Sequence, residues 1–289
     1  MDKLKELSEN GFYIAKSITP ISMHKEIFLT FYDVLISMIS RHKIRTDFQI
    51  KNIEDLNYPD DIKELDKLVF AVSDFNRELM GELYDTVAYC SAFFKLIGNP
   101  EIEKTARELM SLKSYSTMYS VTHRIRMDEP KDEMRRAAWH QEIFHSYPDT
   151  RFLQTWGPVI RNSTVSNGTI EVCKKSHQHG VVDQDWEEFK GGGYAQRIIV
   201  KDEIVKKHEI LQLEMNIGDV MFFDRHLIHR SGYNSSNEIR YSQVGLWNDC
   251  SYKGFRAPKP AFESRTFSPR DNYDMQMKKI RSQCCLLYT

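Results

Sequence analysis

The chain has 289 residues, 41% hydrophobic and 28% charged, enough for one large domain or two small ones with a substantial core. Its net charge of −1 gives no global field to recruit nucleic acid or an anionic membrane surface. No run of about 18 apolar residues suggests a membrane span, and the charged start Met1-Asp2-Lys3-Leu4-Lys5-Glu6 lacks the apolar core of a signal peptide, so a cytoplasmic protein is expected. The five cysteines are odd in number and form no C-x-x-C pair, which points away from both a disulfide framework and a cysteine zinc site.

The first part, 1–113, reads as mainly helical. Thr19-Pro20 sets a capping residue before a proline suited to a first helical position. Ile27, Phe28, Phe31, Leu35, Met38 and Ile39 then follow close to a helical stripe, to about residue 45. The polar stretch 57–61 breaks this helix. A second long helix is expected over 62–96, stopped by Gly98-Asn99-Pro100, and a third over 101–112. These helices either brace a sheet core or form an oligomer contact.

The character changes near Ser114. Strands are expected over 115–127, 137–144, 152–160, 169–173, 209–215, 219–223, 227–230 and 240–247, where β-branched and aromatic residues concentrate. Turn residues separate them, as in Ser166-Asn167-Gly168 and Asn216-Ile217-Gly218-Asp219. Many short strands with few helices between them predict an α+β chain with a sandwich or jelly-roll core. One domain is expected over 1–289, with its core at 114–250 and a C-terminal extension at 251–289. The insertion 181–208 is charged and contains Gly191-Gly192-Gly193. Such a segment is a lid or a surface excursion.

Chemistry concentrates in His140-Gln141-Glu142. On a strand, a histidine and a carboxylate two residues apart point to the same face. With a second histidine from a distant strand they would occupy one triangular face of an octahedral metal site, the arrangement of non-haem Fe(II). His226 and His229 lie three positions apart and face opposite ways on a strand, so one of them would reach the metal. Arg124 and Arg126 share a face of the first core strand; they would bind an anionic substrate or remain a solvated surface. His177-x-His179 could mimic a metal pair, but it follows a loop sequence, and His177 is expected to hydrogen-bond locally.

Gly218-Asp219-x-x-Phe222-Phe223, followed by His229-x-Ser231-Gly232-x-Asn234-x-Ser236-x-x-x-Arg240, resembles the phytanoyl-CoA dioxygenase family of Fe(II)/2-oxoglutarate oxygenases. Trp139-His140-Gln141-Glu142, Asn167-Gly168-Thr169-Ile170 and Ser176-His177 match that family's upstream and intermediate motifs. The likeness covers about 115–250; the helices fit only loosely.

The resemblance implies a double-stranded β-helix (jelly-roll, cupin-like) core and His140, Glu142 and His229 as iron ligands. It makes Arg240 the partner of the distal carboxylate of 2-oxoglutarate, where a guanidinium fork suits the chemistry. Ser231 would lend a hydroxyl to that co-substrate. Trp156 would line its pocket, or belong to plain core packing. Glu142 departs from the family, which usually has aspartate there.

The implied activity is hydroxylation of an aliphatic C–H in a small-molecule substrate. It needs Fe(II), 2-oxoglutarate and O2, with ascorbate as a candidate stimulant, and converts 2-oxoglutarate to succinate and CO2. Desaturation, cyclisation and epimerisation are alternative outcomes of the same chemistry, and an inactive jelly-roll ligand-binding protein is the reading from a different class. The expected assembly is a monomer or a homodimer.

Overall fold

In the computed structural model, residues 2–113, 115–119, 124–132, 137–142, 151–188 and 196–255 are described. Six helices come first: α1 (Lys3–Asn10), α2 (Ile21–His42), α3 (Ile62–Phe75), α4 (Leu79–Ala88), α5 (Ser91–Ile97) and α6 (Pro100–Leu109), with strand β1 (Phe12–Ala15) between α1 and α2. The apolar stripe expected on α2 is buried in full, from Ile27 to Ile39. Asn99 caps α6, its side chain accepting from Glu101 N, with Pro100 in the first turn.

The single helix expected over 62–96 is instead three. Asn76 is extended (φ −158°, ψ 110°) and ends α3; its side-chain oxygen accepts from Glu78 N at 2.9 Å. Asparagine competes with the helical hydrogen bonds in this way, while the apolar spacing runs on through the break and conceals it. Cys90, also extended (φ −71°, ψ 146°), separates α4 from α5.

The strands are β2 (Thr117–Tyr119), β3 (Arg124–Asp128), β4 (Phe152–Pro158), β5 (Ile170–Cys173), β6 (Gln184–Glu188), β7 (Gln196–Val200), β8 (Ile210–Gln212), β9 (Val220–Asp224), β10 (His229–Ser231) and β11 (Arg240–Asp249), with the short α7 (Asp202–Val205) after β7. The strand expected over 115–127 is thus two pieces, with 120–123 outside the described residues. Of the strand expected over 137–144, His140 contributes an isolated antiparallel bridge, and 143–144 lie outside the described residues.

A six-stranded sheet runs β1-β9-β4-β11-β2, with β3 also paired to β11; a three-stranded sheet runs β10-β5-β8. Every pairing is antiparallel. Because strand side chains alternate, β11 serves two environments. Tyr241 faces the helices, where its ring meets Phe31 edge-on at 5.9 Å and its hydroxyl donates to Asp66 at 2.7 Å. Its neighbours Arg240 and Ser242 face the other way. One apolar cluster joins α2–α5 to the helix side of β3 and β11 through Ile125, Met127 and Tyr241, so the helices hold that sheet from outside.

Strand β9 is launched by the turn 216–219. Gly218 is left-handed there (φ +95°), and a Cβ on it would lie 2.9 Å from Thr19 O, so glycine alone suits the position. The Asp219 side chain closes the turn, accepting from Asn216 N at 3.1 Å and Ser17 N at 3.0 Å.

The insertion 181–208 is not featureless. It carries the β6–β7 hairpin and α7, while 189–195, including the three glycines, lie outside the described residues, as do 256–289. Among the described residues, no helix is long and apolar enough to cross a membrane.

Candidate metal centre and cavity

His140 and His229 exchange backbone hydrogen bonds, each 3.1 Å long. That pairing sets their imidazoles side by side, with ring centroids 4.3 Å apart. Glu142 lies two residues on, its amide donating to Arg225 O at 3.1 Å. Its Oε2 is 3.4 Å from His140 Nε2 and 3.6 Å from His229 Nε2. One ligand atom from each of the three residues lies within 4.8 Å of the other two.

The tautomers follow from their partners. His140 Nδ1 is 2.7 Å from Ala138 O, and His229 Nδ1 is 2.9 Å from Leu227 O. A carbonyl only accepts, so each Nδ1 carries a proton, and each Nε2 is the ring nitrogen turned toward Glu142. Burial pushes the His229 pKa down, and His140 adds to this, so the imidazole is held neutral. Two imidazole nitrogens and one carboxylate form a donor set suited to a divalent transition metal. The backbone carbonyls behind them fix the rings in the manner of ligand-orienting partners.

Gln141, between the two, is buried and uses its whole amide. Its Nε2 donates to Gly180 O at 2.8 Å and His226 O at 2.7 Å, and its Oε1 accepts from Val182 N and Gln184 Nε2, both at 3.0 Å. Val200 N donates to Trp139 O at 2.7 Å. The insertion is therefore tied at both ends to the segment that carries His140 and Glu142.

The three residues open onto a cavity of about 160 Å3, whose wall includes Arg126, Gln154, Trp156 and Ser231. Arg240 stands behind this wall, fully buried, its guanidinium 5.7 Å from the centre of the Trp156 ring. Its Nη2 donates to Asp128 and, at 3.1 Å, to Ser231 Oγ. Its Nε and Nη1 are buried with no hydrogen-bond partner among the described residues. A buried guanidinium with two idle donors awaits an acceptor, and a carboxylate fits that fork.

All three candidate metal residues thus come together, and Arg240, Ser231 and Trp156 adjoin them. Arg126 lines the cavity with Asp128 3.4 Å away, whereas the Arg124 side chain lies outside the described residues. His226 turns instead to Asp224, at 3.0 Å. His177 does not bond locally as expected; its Nε2 meets Ser8 O across the chain at 3.0 Å, because the loop packs on the end of α1. Sequence reasoning missed Asp128 and Gln154. Asp128 carries a signal in hindsight, an acid two residues after Arg126 on a strand of alternating faces.

Residues 9–242 match the profile of the phytanoyl-CoA dioxygenase (PhyH) family. The chain belongs to that family. Membership of the PhyH family points to iron- and 2-oxoglutarate-dependent oxygenase chemistry. One curated relative is the 1-deoxypentalenic acid 11-beta-hydroxylase of Streptomyces arenae, 30% identical over 130 residues, which are 43% of this chain and 46% of that protein. The match therefore spans less than half of that relative. Among solved structures, the epimerase SnoN, in complex with Fe3+, alpha-ketoglutarate and nogalamycin RO, is 15% identical with a TM-score of 0.56, covering 90% of this chain and 87% of SnoN. EctD from S. alaskensis, in its apo form, is 16% identical with a TM-score of 0.55, covering 89% of this chain and 78% of EctD. At these identities the likeness is one of fold, a mixed helical and antiparallel-sheet architecture shared by this PhyH chain.

Proposed function

We propose that this PhyH-family chain is an Fe(II)/2-oxoglutarate-dependent dioxygenase that hydroxylates an aliphatic C–H of a small molecule, releasing succinate and CO2. The reading treats the two facing antiparallel sheets as the walls of a double-stranded β-helix. The observation that carries it is the meeting, at one cavity, of His140, Glu142 and His229, with the buried Arg240, whose Nε and Nη1 lack partners among the described residues, directly behind its wall.

In this reading His140 Nε2, Glu142 and His229 Nε2 hold the iron, and Arg240 with Ser231 receives the distal carboxylate of 2-oxoglutarate. Iron with its co-substrate supplies the oxidising chemistry that activates O2. The chain's own residues do the rest. The backbone bridge between His140 and His229 fixes the ligand spacing. Asp128 holds the Arg240 fork in one orientation. Trp156, Phe223 and Ile170 keep the cavity wall dry. Arg126 contacts the primary substrate, and the 181–208 insertion serves as a lid, a role supported by its attachment through Gln141 and Trp139.

Hydroxylation is put first because the 30% identical relative is a hydroxylase by name. Epimerisation, after SnoN, is the second reading and uses the same residues. Purified protein given Fe(II), ascorbate, O2 and 2-oxoglutarate is expected to release succinate in an iron-dependent manner. Failure to release succinate, together with failure to bind 2-oxoglutarate, would reject the proposal.

A further inference from the structure

Gln154 lies on the cavity side of β4, two residues before Trp156. It pairs in register with Leu246 of β11 and Phe223 of β9. It lines the cavity and is 3% exposed, and its Oε1 has no hydrogen-bond partner among the described residues. Gln141, equally buried, satisfies its amide four times over. An amide left unmade inside a protein is unfavourable, and native chains keep such groups mainly where a ligand completes them.

The register says which ligand. Along β4, Pro158 stands opposite Ser242, Trp156 opposite Val244, and Gln154 opposite Leu246. Arg240 is beyond Ser242, so Gln154 lies at the far end of the row from the proposed co-substrate anchor. Phe223, its partner on β9, meets the His229 ring edge-on with centroids 4.8 Å apart. Gln154 is thus one side chain removed from the proposed iron, on the side away from the co-substrate carboxylate. Around it the wall is hydrocarbon: Phe223, Leu246, Val244 and Ile170. The two arginines that line the cavity each have an acid at hand, Asp128 beside Arg126 and Glu171 beside Arg230. Nothing there calls for a further negative charge.

We infer that Gln154 is a specificity-determining residue that hydrogen-bonds an uncharged oxygen function, a hydroxyl or a carbonyl, on an otherwise hydrocarbon primary substrate. An amide offers both a donor and an acceptor, so either orientation of its head meets such a group. This rests on the oxygenase reading above, and the test separates the two.

Wild type and Gln154→Met, each loaded with Mn(II) and 2-oxoglutarate, are titrated with cyclohexanol and with methylcyclohexane by ligand-observed NMR. The alcohol-to-hydrocarbon affinity ratio is expected to be about fivefold lower in Gln154→Met, the size of one neutral hydrogen bond. Gln154→Met is also expected to melt at or above the wild-type temperature, because it removes a buried amide oxygen that has no partner among the described residues. An unchanged ratio, no cyclohexanol binding to the wild type, or a lower melting temperature in Gln154→Met would each overturn the assignment. Mn(II)-dependent binding of 2-oxoglutarate to the wild type is measured alongside. Its absence rejects the oxygenase reading, whereas intact 2-oxoglutarate binding with an unmoved ratio rejects only the role of Gln154.

Discussion

Asp128 and Arg240 stand directly opposite one another across the β3–β11 pair and join in an ion pair whose guanidinium is wholly buried. Burial alone would raise the Asp128 pKa, but Arg240, followed by Arg126, outweighs it and leaves the carboxyl below its ordinary value of 3.8. A depressed carboxylate stabilises the fold above its unfolded pKa, and that contribution fades as pH falls through the folded one. Asp128→Asn is therefore expected to cost about 3–5 kcal/mol of stability at neutral pH, the usual result of orphaning a buried charge, and to weaken 2-oxoglutarate binding by loosening Arg240. Urea unfolding and 2-oxoglutarate titration check the two effects. Adding Arg240→Met to Asp128→Asn should cost less than the sum of the single changes, because the partners are coupled.

Arg240→Ala is expected to weaken 2-oxoglutarate binding by about 1.5–3 kcal/mol, the range for hydrogen bonds to a charged group. Calorimetry with Mn(II) present measures this directly. An unchanged affinity would remove Arg240 from the co-substrate site.

His229→Ala removes one of two imidazoles that face Glu142 at hydrogen-bond to ion-pair range. The variant is expected to purify without stoichiometric iron and to show no iron-dependent succinate release. Full metal content by elemental analysis would show that the ligand assignment is wrong.

Glu142 reaches both imidazoles with the longer of the two acidic side chains. Glu142→Asp would withdraw the carboxylate by about 1.5 Å, one C–C bond length, from a backbone position held by the bond to Arg225 O. Metal affinity is expected to fall, despite aspartate being the usual family residue. Equal or tighter metal binding by Glu142→Asp would mean that the backbone adjusts instead.

His24 supplies a pH test remote from the cavity. It is buried in α2 between Thr19 Oγ1 and Val159 O, at 2.8 Å from each. Burial pushes its pKa below 6.5, against an opposing pull from the Val159 carbonyl. The unfolded chain then takes up a proton near pH 6.5 that the folded chain refuses, so stability is lost as pH falls below that value. The slope from this one group is at most about 1.4 kcal/mol per pH unit. Between pH 7 and 5 the unfolding free energy is expected to fall less steeply in His24→Met than in wild type. Parallel curves would clear His24 of this role.

Much of the core was legible in the sequence because runs of β-branched and aromatic residues and turn residues agree there. The stretch 152–160 became Phe152–Pro158, and 240–247 became Arg240–Asp249. The triad was legible for a different reason: spacing set His140 and Glu142 on one face and left His226 and His229 open, and the family resemblance pointed to His229, which lies 3.6 Å from Glu142. What escaped were relationships across strands. Asp128 gains meaning only when β3 and β11 pair in one register, and Gln154 only when its Oε1 is seen to face the cavity without a partner among the described residues. The split of 62–96 escaped because a local asparagine cap interrupts the backbone without interrupting the apolar rhythm. Strand β1 escaped because four residues beside a longer helix carry too little pattern; β9 supplies the template.

Gln141 spends its whole amide joining His140 and Glu142 to the base of the hairpin arm, and Trp139 grips the arm's returning strand. Residues 180–184 are thereby linked through one side chain to the two candidate metal residues that flank it. On the proposed oxygenase reading, the arm beyond this attachment could vary between relatives while the spacing of His140 and Glu142 stayed the same.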